Sequence, residues 1–280
     1  VTGDFDPPAG VLADLVRRAL AEDLGILGDL TSLALVAEEA TATGTVATRQ
    51  DGILAGTAAA TEVFRQVDPA VAVRWEAGDG DEIVAGQVLA RLDGPTRSLL
   101  VAERTALNFL QHCSGVASLT RRFVRAAHGR ARIRDTRKTL PGLRVVEKAA
   151  VRAGGGFNHR ECLSDAVLVK DNHLRTLGVA QAVARARARW PGRVVEVECD
   201  TLEQVTEAVA AGADLVLLDN MTPEQVRAVR ARVGEGVRLE VSGGVTLERV
   251  GAYAEAGADF ISVGAITHSA PALDIGLDLD

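Results

Sequence analysis

The sequence predicts an α/β protein: a small N-terminal α/β domain followed by an incomplete parallel α/β barrel. Three observations carry this. Beyond about residue 130, short β-branched runs ("ARIRDT", "AVLVKD", "VVEVEC", "DLVLLD", "VRLEVSGG", "DFISVG") alternate with stretches of helical patterning. That alternation is the signature of parallel βα units. The residues ending the last four runs, Glu198, Asp219, Ser242 and Gly264, stand 21, 23 and 22 residues apart, too regular for unrelated loops. Only six units are clear, fewer than a complete eight-stranded barrel has.

The elements follow in order. "PPAGVLADLVRRALAEDLG" predicts a helix, because Val11, Leu12, Leu15, Val16 and Leu20 recur at helical spacing and Gly25 closes it. From Thr41 to Leu92 the texture changes to short β-type runs with Gly and Asp-Gly turns. "SLLVAERTALNFLQHCSG" predicts a second helix that continues past Gly115. The change of rhythm divides a first domain, 1–112, from a barrel domain, 113–268. Within the barrel, "LEQVTEAVAAGA", "TPEQVRAVRARVG" and "TLERVGAYAEAGA" predict the helices between the late strands.

Composition excludes several classes. The 38 acidic against 31 basic residues give a formal charge of -7, which argues against a nucleic-acid binder. Aromatic content of 3% leaves little for stacking on bases. Cys113, Cys162 and Cys199 are scattered without CxxC spacing, as expected of a reducing compartment with no disulfide framework. "VTGDFDPPAG" lacks the charged and apolar regions of a signal peptide. No apolar run approaches the roughly 20 residues of a membrane span. A cytoplasmic protein that binds neither nucleic acid nor membrane is expected.

In such a barrel, the carboxyl ends of the strands converge on the functional face. Those ends carry Arg137 and Lys138, then Lys170, Glu198, Asp219, Ser242-Gly243-Gly244 and Gly264. The early strands supply cations, the middle ones carboxylates, and the late ones glycine turns. "SGGV" before a helix offers backbone N–H groups to a phosphate, and "SVGAITHSA" a second turn beside it. Each alone reads equally as an ordinary turn; together they resemble the phosphate site of such barrels. Glu198 and Asp219 could hold a divalent cation or sugar hydroxyls, or be solvated strand-end acids. Lys170 could form a Schiff base or neutralise a phosphate. His159 and Arg160 follow the run Gly154–Gly156, which reads as mobile.

The stretch "IRDTRKTLPGLR" concentrates Arg130, Arg132, Arg134, Arg137, Lys138 and Arg144 in an acidic chain. A unit-charge pair at 4 Å is worth roughly 4 kcal/mol at an effective dielectric of about 20. Gathering Arg137, Lys138, Arg160 and Lys170 in one pocket therefore calls for a ligand with several negative charges. By contrast, Arg185, Arg187 and Arg189 alternate with Ala on a predicted helix and read as solvated surface.

"RDTRKTLPGLRVVEKAAVRAGGGFNHR", "VLVKDNH", "VEVEC", "LVLLDN", "VSGGV" and "VGAITHSAPALDIGLDL" together resemble the quinolinate phosphoribosyltransferase family, through nearly the whole chain. The resemblance implies an N-terminal α/β sandwich plus an incomplete barrel, the type II phosphoribosyltransferase fold. It implies that tail 269–280 packs back on the first domain. It implies transfer of the phosphoribosyl group of phosphoribosyl pyrophosphate to quinolinate with Mg²⁺, giving nicotinate mononucleotide, pyrophosphate and CO₂ in de novo NAD biosynthesis. Arg104, Arg137, His159, Arg160 and Lys170 would surround the quinolinate carboxylates. Lys138 and Lys170 would lie near the phosphates, with Glu198 and Asp219 at the ribose hydroxyls and metal. Ser242, Gly243, Gly244 and Gly264 would hold the 5-phosphate. Arg104 would act across a homodimer or larger homo-oligomer that shares the site between subunits.

Other readings remain at this stage. A related transferase acting on nicotinate or another acceptor would need fewer cations. A Schiff-base aldolase on Lys170 would leave "DTRKT" and the paired acids unexplained, and a non-catalytic phosphate-binding scaffold would show no turnover. "EAGDGDEIVAGQVLARLDG" has the turns of a biotinyl or lipoyl carrier but lacks its lysine, since none stands between Arg74 and Arg91.

Overall fold

The computed structural model describes residues 5–280; residues 1–4, which open the segment read as lacking a signal peptide, lie outside the described residues. Two compact units result. Among the described residues, one comprises those up to 121 with 139–155 and 266–280, and the other 122–138 and 156–265.

The first unit opens with α1 (Ala9–Leu24), which buries Leu12, Leu15, Val16 and Leu20, while Val11 faces solvent. α2 (Leu30–Leu35) follows, capped by the Asp29 carboxylate, which accepts from the Thr31 and Ser32 N–H groups. Then come β1 (Thr41–Thr48), β2 (Gly52–Ile53), α3 (Thr57–Val67), β3 (Ala72–Trp75), β4 (Glu82–Ile83) and β5 (Val88–Pro95). α3 interrupts the short β-type runs of 41–92 with a helix that no reading of the sequence named. Its Ala59, Ala60, Val63 and Phe64 are buried at helical spacing, and Asp79 accepts from the Gly56 and Thr57 N–H groups at its start. The capping carboxylate is distant in sequence, so local texture did not announce it.

α4 (Thr96–Ala126) runs through Gly115 as expected. A Cβ at Gly115 would stand 2.1 Å from the Pro271 carbonyl oxygen, so this mid-helix glycine exists for close backbone approach. In the second unit come β6 (Arg132–Arg134) and, returning to the first, α5 (Arg144–Ala153). Gly154, at the end of α5, is packed rather than mobile: a Cβ there would meet the Ala117 carbonyl oxygen at 2.5 Å and Thr120 at 2.7 Å.

The remaining elements of the second unit are β7 (Val167–Val169), α6 (Asp171–Leu174), α7 (Val179–Arg189), β8 (Val195–Cys199), α8 (Leu202–Ala210), β9 (Leu215–Asp219), α9 (Pro223–Val233), β10 (Arg238–Ser242), α10 (Leu247–Glu255) and β11 (Phe260–Ser262). The chain closes with α11 (Ala265–His268) and β12 (Ile275–Leu279). β12 pairs antiparallel with β1, so the tail joins the four-stranded sheet β12-β1-β5-β3 of the first unit.

The second unit is the expected six-stranded parallel sheet, in the order β6-β11-β10-β9-β8-β7. β6 and β7 are its two edges, so the sheet does not close through them. Phe157 adds one parallel bridge to Arg134. The strands alternate strictly. Val195, Val197 and Cys199 of β8 are fully buried against the helix side, as are Val216 and Leu218 of β9, Leu239 and Val241 of β10 and Ile261 of β11. Their neighbours at the other parity face the sheet's inner side.

Candidate active site

The inner parity carries most of the unit's chemistry. Glu196 and Glu198 on β8, Leu217 and Asp219 on β9, Glu240 and Ser242 on β10, and Ser262 on β11 all project to the same side. At the carboxyl ends they meet Thr136, Arg137, Lys138, His159, Arg160, Leu168 and Lys170 around a cavity of about 430 Å³. Residues from six strand ends thus converge, as parallel strands with one shared direction require.

Most of the predicted site residues are brought together. Arg137, Lys138, His159, Arg160, Lys170, Glu198, Asp219 and Ser242 line this cavity. Gly243 and Gly244 form the turn after Ser242, both with positive φ (93° and 55°). Gly243 admits no side chain, because a Cβ would meet Asn220 Oδ1 at 2.2 Å and the Asn220 nitrogen at 2.8 Å. Gly264 stands between β11 and α11. Arg104 is exposed on α4 of the first unit.

The cation run of "IRDTRKTLPGLR" separates. Arg130 pairs with Glu255 on the surface (2.8 Å), and Arg132 stacks over Phe157 at 4.8 Å. Arg134 is ion-paired with buried Glu240, and Arg144 donates to Thr139 Oγ1 at 3.0 Å. Arg137 and Lys138 alone of this run line the cavity.

Electrostatics set the cavity's preference. Lys170 Nζ forms an ion pair with Glu198 Oε2. The Arg160 guanidinium is held below its ordinary pKa, first by burial and then by the positive charge of Arg137 beside it, with Glu196 and Asp165 partly offsetting both. Two guanidiniums lining one cavity favour an anionic ligand there. The Cys199 thiol, on the opposite face of β8, is pushed up to about 12 by burial first, then by Asp200, Glu198 and Glu207.

The "DTRKT" and "NHR" motifs are joined by Asp135, which is fully buried. Its carboxylate accepts from Asn158 Nδ2 at 2.6 Å and from the His159 N–H at 2.8 Å. Glu196 and Glu240 were not anticipated as site residues. Their signal was parity: in "VVEVEC" and "RLEVS" each glutamate stands two residues before a predicted site residue and therefore on the same face.

Comparison with known proteins settles the family. Residues 116–278 match the model of the quinolinate phosphoribosyl transferase C-terminal domain, and 29–114 that of the N-terminal domain. The chain is 45% identical over 273 residues to the nicotinate-nucleotide pyrophosphorylase [carboxylating] of Mycobacterium leprae, covering 95% of this chain and 96% of the relative. It is 42% identical over 271 residues to the probable enzyme of that name from Bacillus subtilis, covering 96% and 93%.

This chain belongs to the quinolinate phosphoribosyltransferase family.

The structure of the nicotinate-nucleotide pyrophosphorylase from Francisella tularensis superposes on this family member with a TM-score of 0.93 at 41% identity, covering 98% of each chain. The fold is therefore that of the type II phosphoribosyltransferases, as expected. Among the described residues, no helix of this chain is long and apolar enough to cross a membrane.

Proposed function

We propose that the 430 Å³ cavity of the second unit is the active site, in which the cations hold quinolinate and the late strands hold phosphoribosyl pyrophosphate. The activity is that of the family: transfer of a phosphoribosyl group to quinolinate with loss of CO₂, giving nicotinate mononucleotide and pyrophosphate. The observation supporting the assignment is the Arg137–Arg160 juxtaposition, whose mutual repulsion a dicarboxylate relieves and a monocarboxylate relieves less.

Arg137, His159, Arg160 and Lys170 take the two carboxylates, and Lys138 and Lys170 the pyrophosphate. Ser242, Gly243, Gly244 and Gly264 take the 5-phosphate through backbone N–H groups and a hydroxyl. Glu198 and Asp219 take the ribose hydroxyls and metal. Their donor set, two carboxylates on neighbouring strands lining one cavity, fits a hard cation that completes its shell with phosphate oxygens and water. Mg²⁺ held there would offset charge developing on the departing pyrophosphate.

The chain's own work is positional and electrostatic. The carboxylate clamps hold the pyridine nitrogen against C1 of the ribose, which converts a bimolecular encounter into an intramolecular one. Lys138 and Lys170 stabilise the leaving pyrophosphate as the C1–O bond breaks. Once the ring nitrogen is quaternary, the adjacent carboxylate leaves as CO₂. Its bonding pair remains on a ring carbon next to positive nitrogen and takes up a proton. No side-chain nucleophile enters these steps.

Arg104 of the first unit is assigned to the quinolinate of a partner subunit, in a cytoplasmic homodimer or larger homo-oligomer. The assay is purified protein with Mg²⁺, phosphoribosyl pyrophosphate and either quinolinate or nicotinate. Nicotinate mononucleotide and CO₂ form from quinolinate, and nicotinate stays inert. Turnover of nicotinate alone would overturn the acceptor assignment.

A further inference from the structure

The cavity cations Arg137 and Lys138 stand on a connection, between β6, which ends at Arg134, and α5, which begins at Arg144. A loop has no hydrogen-bond ladder of its own, so its backbone groups are met by side chains and turns. Thr136 Oγ1 accepts the Lys138 backbone N–H at 2.9 Å. Arg144 Nε donates to Thr139 Oγ1 at 3.0 Å. Residues 140–143 close a tight turn, in which the Leu143 N–H meets the Leu140 carbonyl oxygen at 3.1 Å. Pro141 and Gly142 (φ 83°) fill its two centre positions, the residues a type II turn favours. At the head of that turn, the Leu140 N–H donates to Glu147 Oε2 at 3.2 Å.

Glu147 is the member of this set that packing does not explain. It lies in the first turn of α5 and is 0% exposed. Its other oxygen, Oε1, stands 2.9 Å from His112 Nε2 on α4. A carboxyl group in such a place is costly unless both oxygens find partners, and an apolar side chain would fill the volume without that demand. Val146, Ala149 and Ala150 do so on the same helix. No step of the reaction uses Glu147. What it adds over an apolar residue is a grip on the Leu140 N–H. Leu140 follows Lys138 by two residues, a stretch of chain that spans at most about 7 Å, so a shift at Leu140 is felt at Lys138.

We propose that Glu147 is a positioning residue for Arg137 and Lys138: by binding the Leu140 N–H it fixes the loop just beyond the two cations and so sets where they meet quinolinate and the pyrophosphate. His112 holds the carboxyl group in turn. The bond to Leu140 needs only an oxygen acceptor, so the role does not depend on charge at Glu147. This rests on the assignment of Arg137 and Lys138 to the substrates above.

The test compares two variants of the full-length enzyme. Glu147→Leu removes the acceptor at similar volume, whereas Glu147→Gln keeps an oxygen for the Leu140 N–H. Measured well below the melting midpoint, the Leu variant is expected to lose about 10-fold in kcat/KM for each substrate and the Gln variant to stay within about 3-fold of the parent. Trypsin reports on the loop without substrate. Cleavage of the Lys138–Thr139 bond, followed by mass spectrometry, should be about 10-fold faster in the Leu variant than in the parent or the Gln variant. A Leu variant that only melts earlier, with parental kinetics and cleavage, would reduce Glu147 to packing and overturn the proposal. So would a Gln variant as impaired as the Leu variant. If Glu147→Leu does not fold, amide exchange in the parent decides: protection of the Leu140 N–H by about 100-fold or more supports the proposal, and exchange at the rate of an unstructured peptide overturns it. A parent enzyme inactive on quinolinate would sink the functional assignment instead, and cleavage and amide exchange would still support or overturn the grip on Leu140.

Discussion

Arg160 gathers most of the site's chemistry in one side chain: guanidinium at the cavity, a backbone N–H on His159, and a like charge in Arg137. Removing such a charged hydrogen-bond donor costs about 2 kcal/mol, or roughly 30-fold in affinity. Arg160→Ala is therefore expected to raise the quinolinate KM by about that factor with little change for phosphoribosyl pyrophosphate, as steady-state kinetics with each substrate varied will report. Lys170 is paired with Glu198, an arrangement suited to electrostatic work. Lys170→Ala should lose activity, and borohydride should trap no imine on the parent enzyme; a reduced substrate adduct at Lys170 would contradict that role. Most of this residue set was legible in the sequence because strand ends in parallel units face one side. Glu196 and Glu240 were hidden because their runs read as continuous apolar strands, and only parity separates a helix-facing valine from an inward glutamate.

At the scale of elements, close backbone approach explains glycines that propensity alone would count as defects. Gly115 sits inside a 31-residue helix where alanine would gain about 1 kcal/mol of helix propensity. Its Cβ would strike the Pro271 carbonyl oxygen, a backbone atom with little freedom to move, and overpacking of that kind costs about 1–3 kcal/mol. Gly115→Ala should therefore lower the melting midpoint by a few degrees in calorimetry, despite the better helix former. β12 makes a comparable prediction. It covers the outer edge of β1, with Ile275 buried, so deleting residues 274–280 leaves β1 as an open edge. Light scattering should then detect concentration-dependent association, together with a lower melting midpoint. Neither contact has a local signal, since each joins segments more than 150 residues apart.

Across the whole molecule, acid sensitivity follows from carboxylates held ionised. Burial is the strongest single influence on Asp259 and pushes its carboxyl up, but the Leu239 N–H, Arg238 and Arg230 together outweigh it and hold the pKa below the ordinary 3.8. A depressed folded pKa means the unfolded chain binds the proton first. The stabilisation is thus complete above about pH 4 and lost as pH falls through the lower folded value. Asp259→Asn should be less stable than the parent at pH 7, and the difference should shrink below about pH 3. Urea titrations across that range measure it directly.

The sequence by itself determined the alternation of strands and helices, the spacing of the late units, and the cation, carboxylate and glycine order of the strand ends. These are local or periodic properties, written wherever a strand must bury both faces and end in a turn. Only the tertiary structure decided which inward side chains meet. Arg134 and Glu240 are 106 residues apart in the chain yet share an ion pair, because β6 and β10 are both neighbours of β11. Long-range packing likewise brings Glu196 Oε2 within 3.1 Å of His159 Nε2. Such contacts depend on register and sheet order, which long-range hydrogen bonding fixes and no local pattern records.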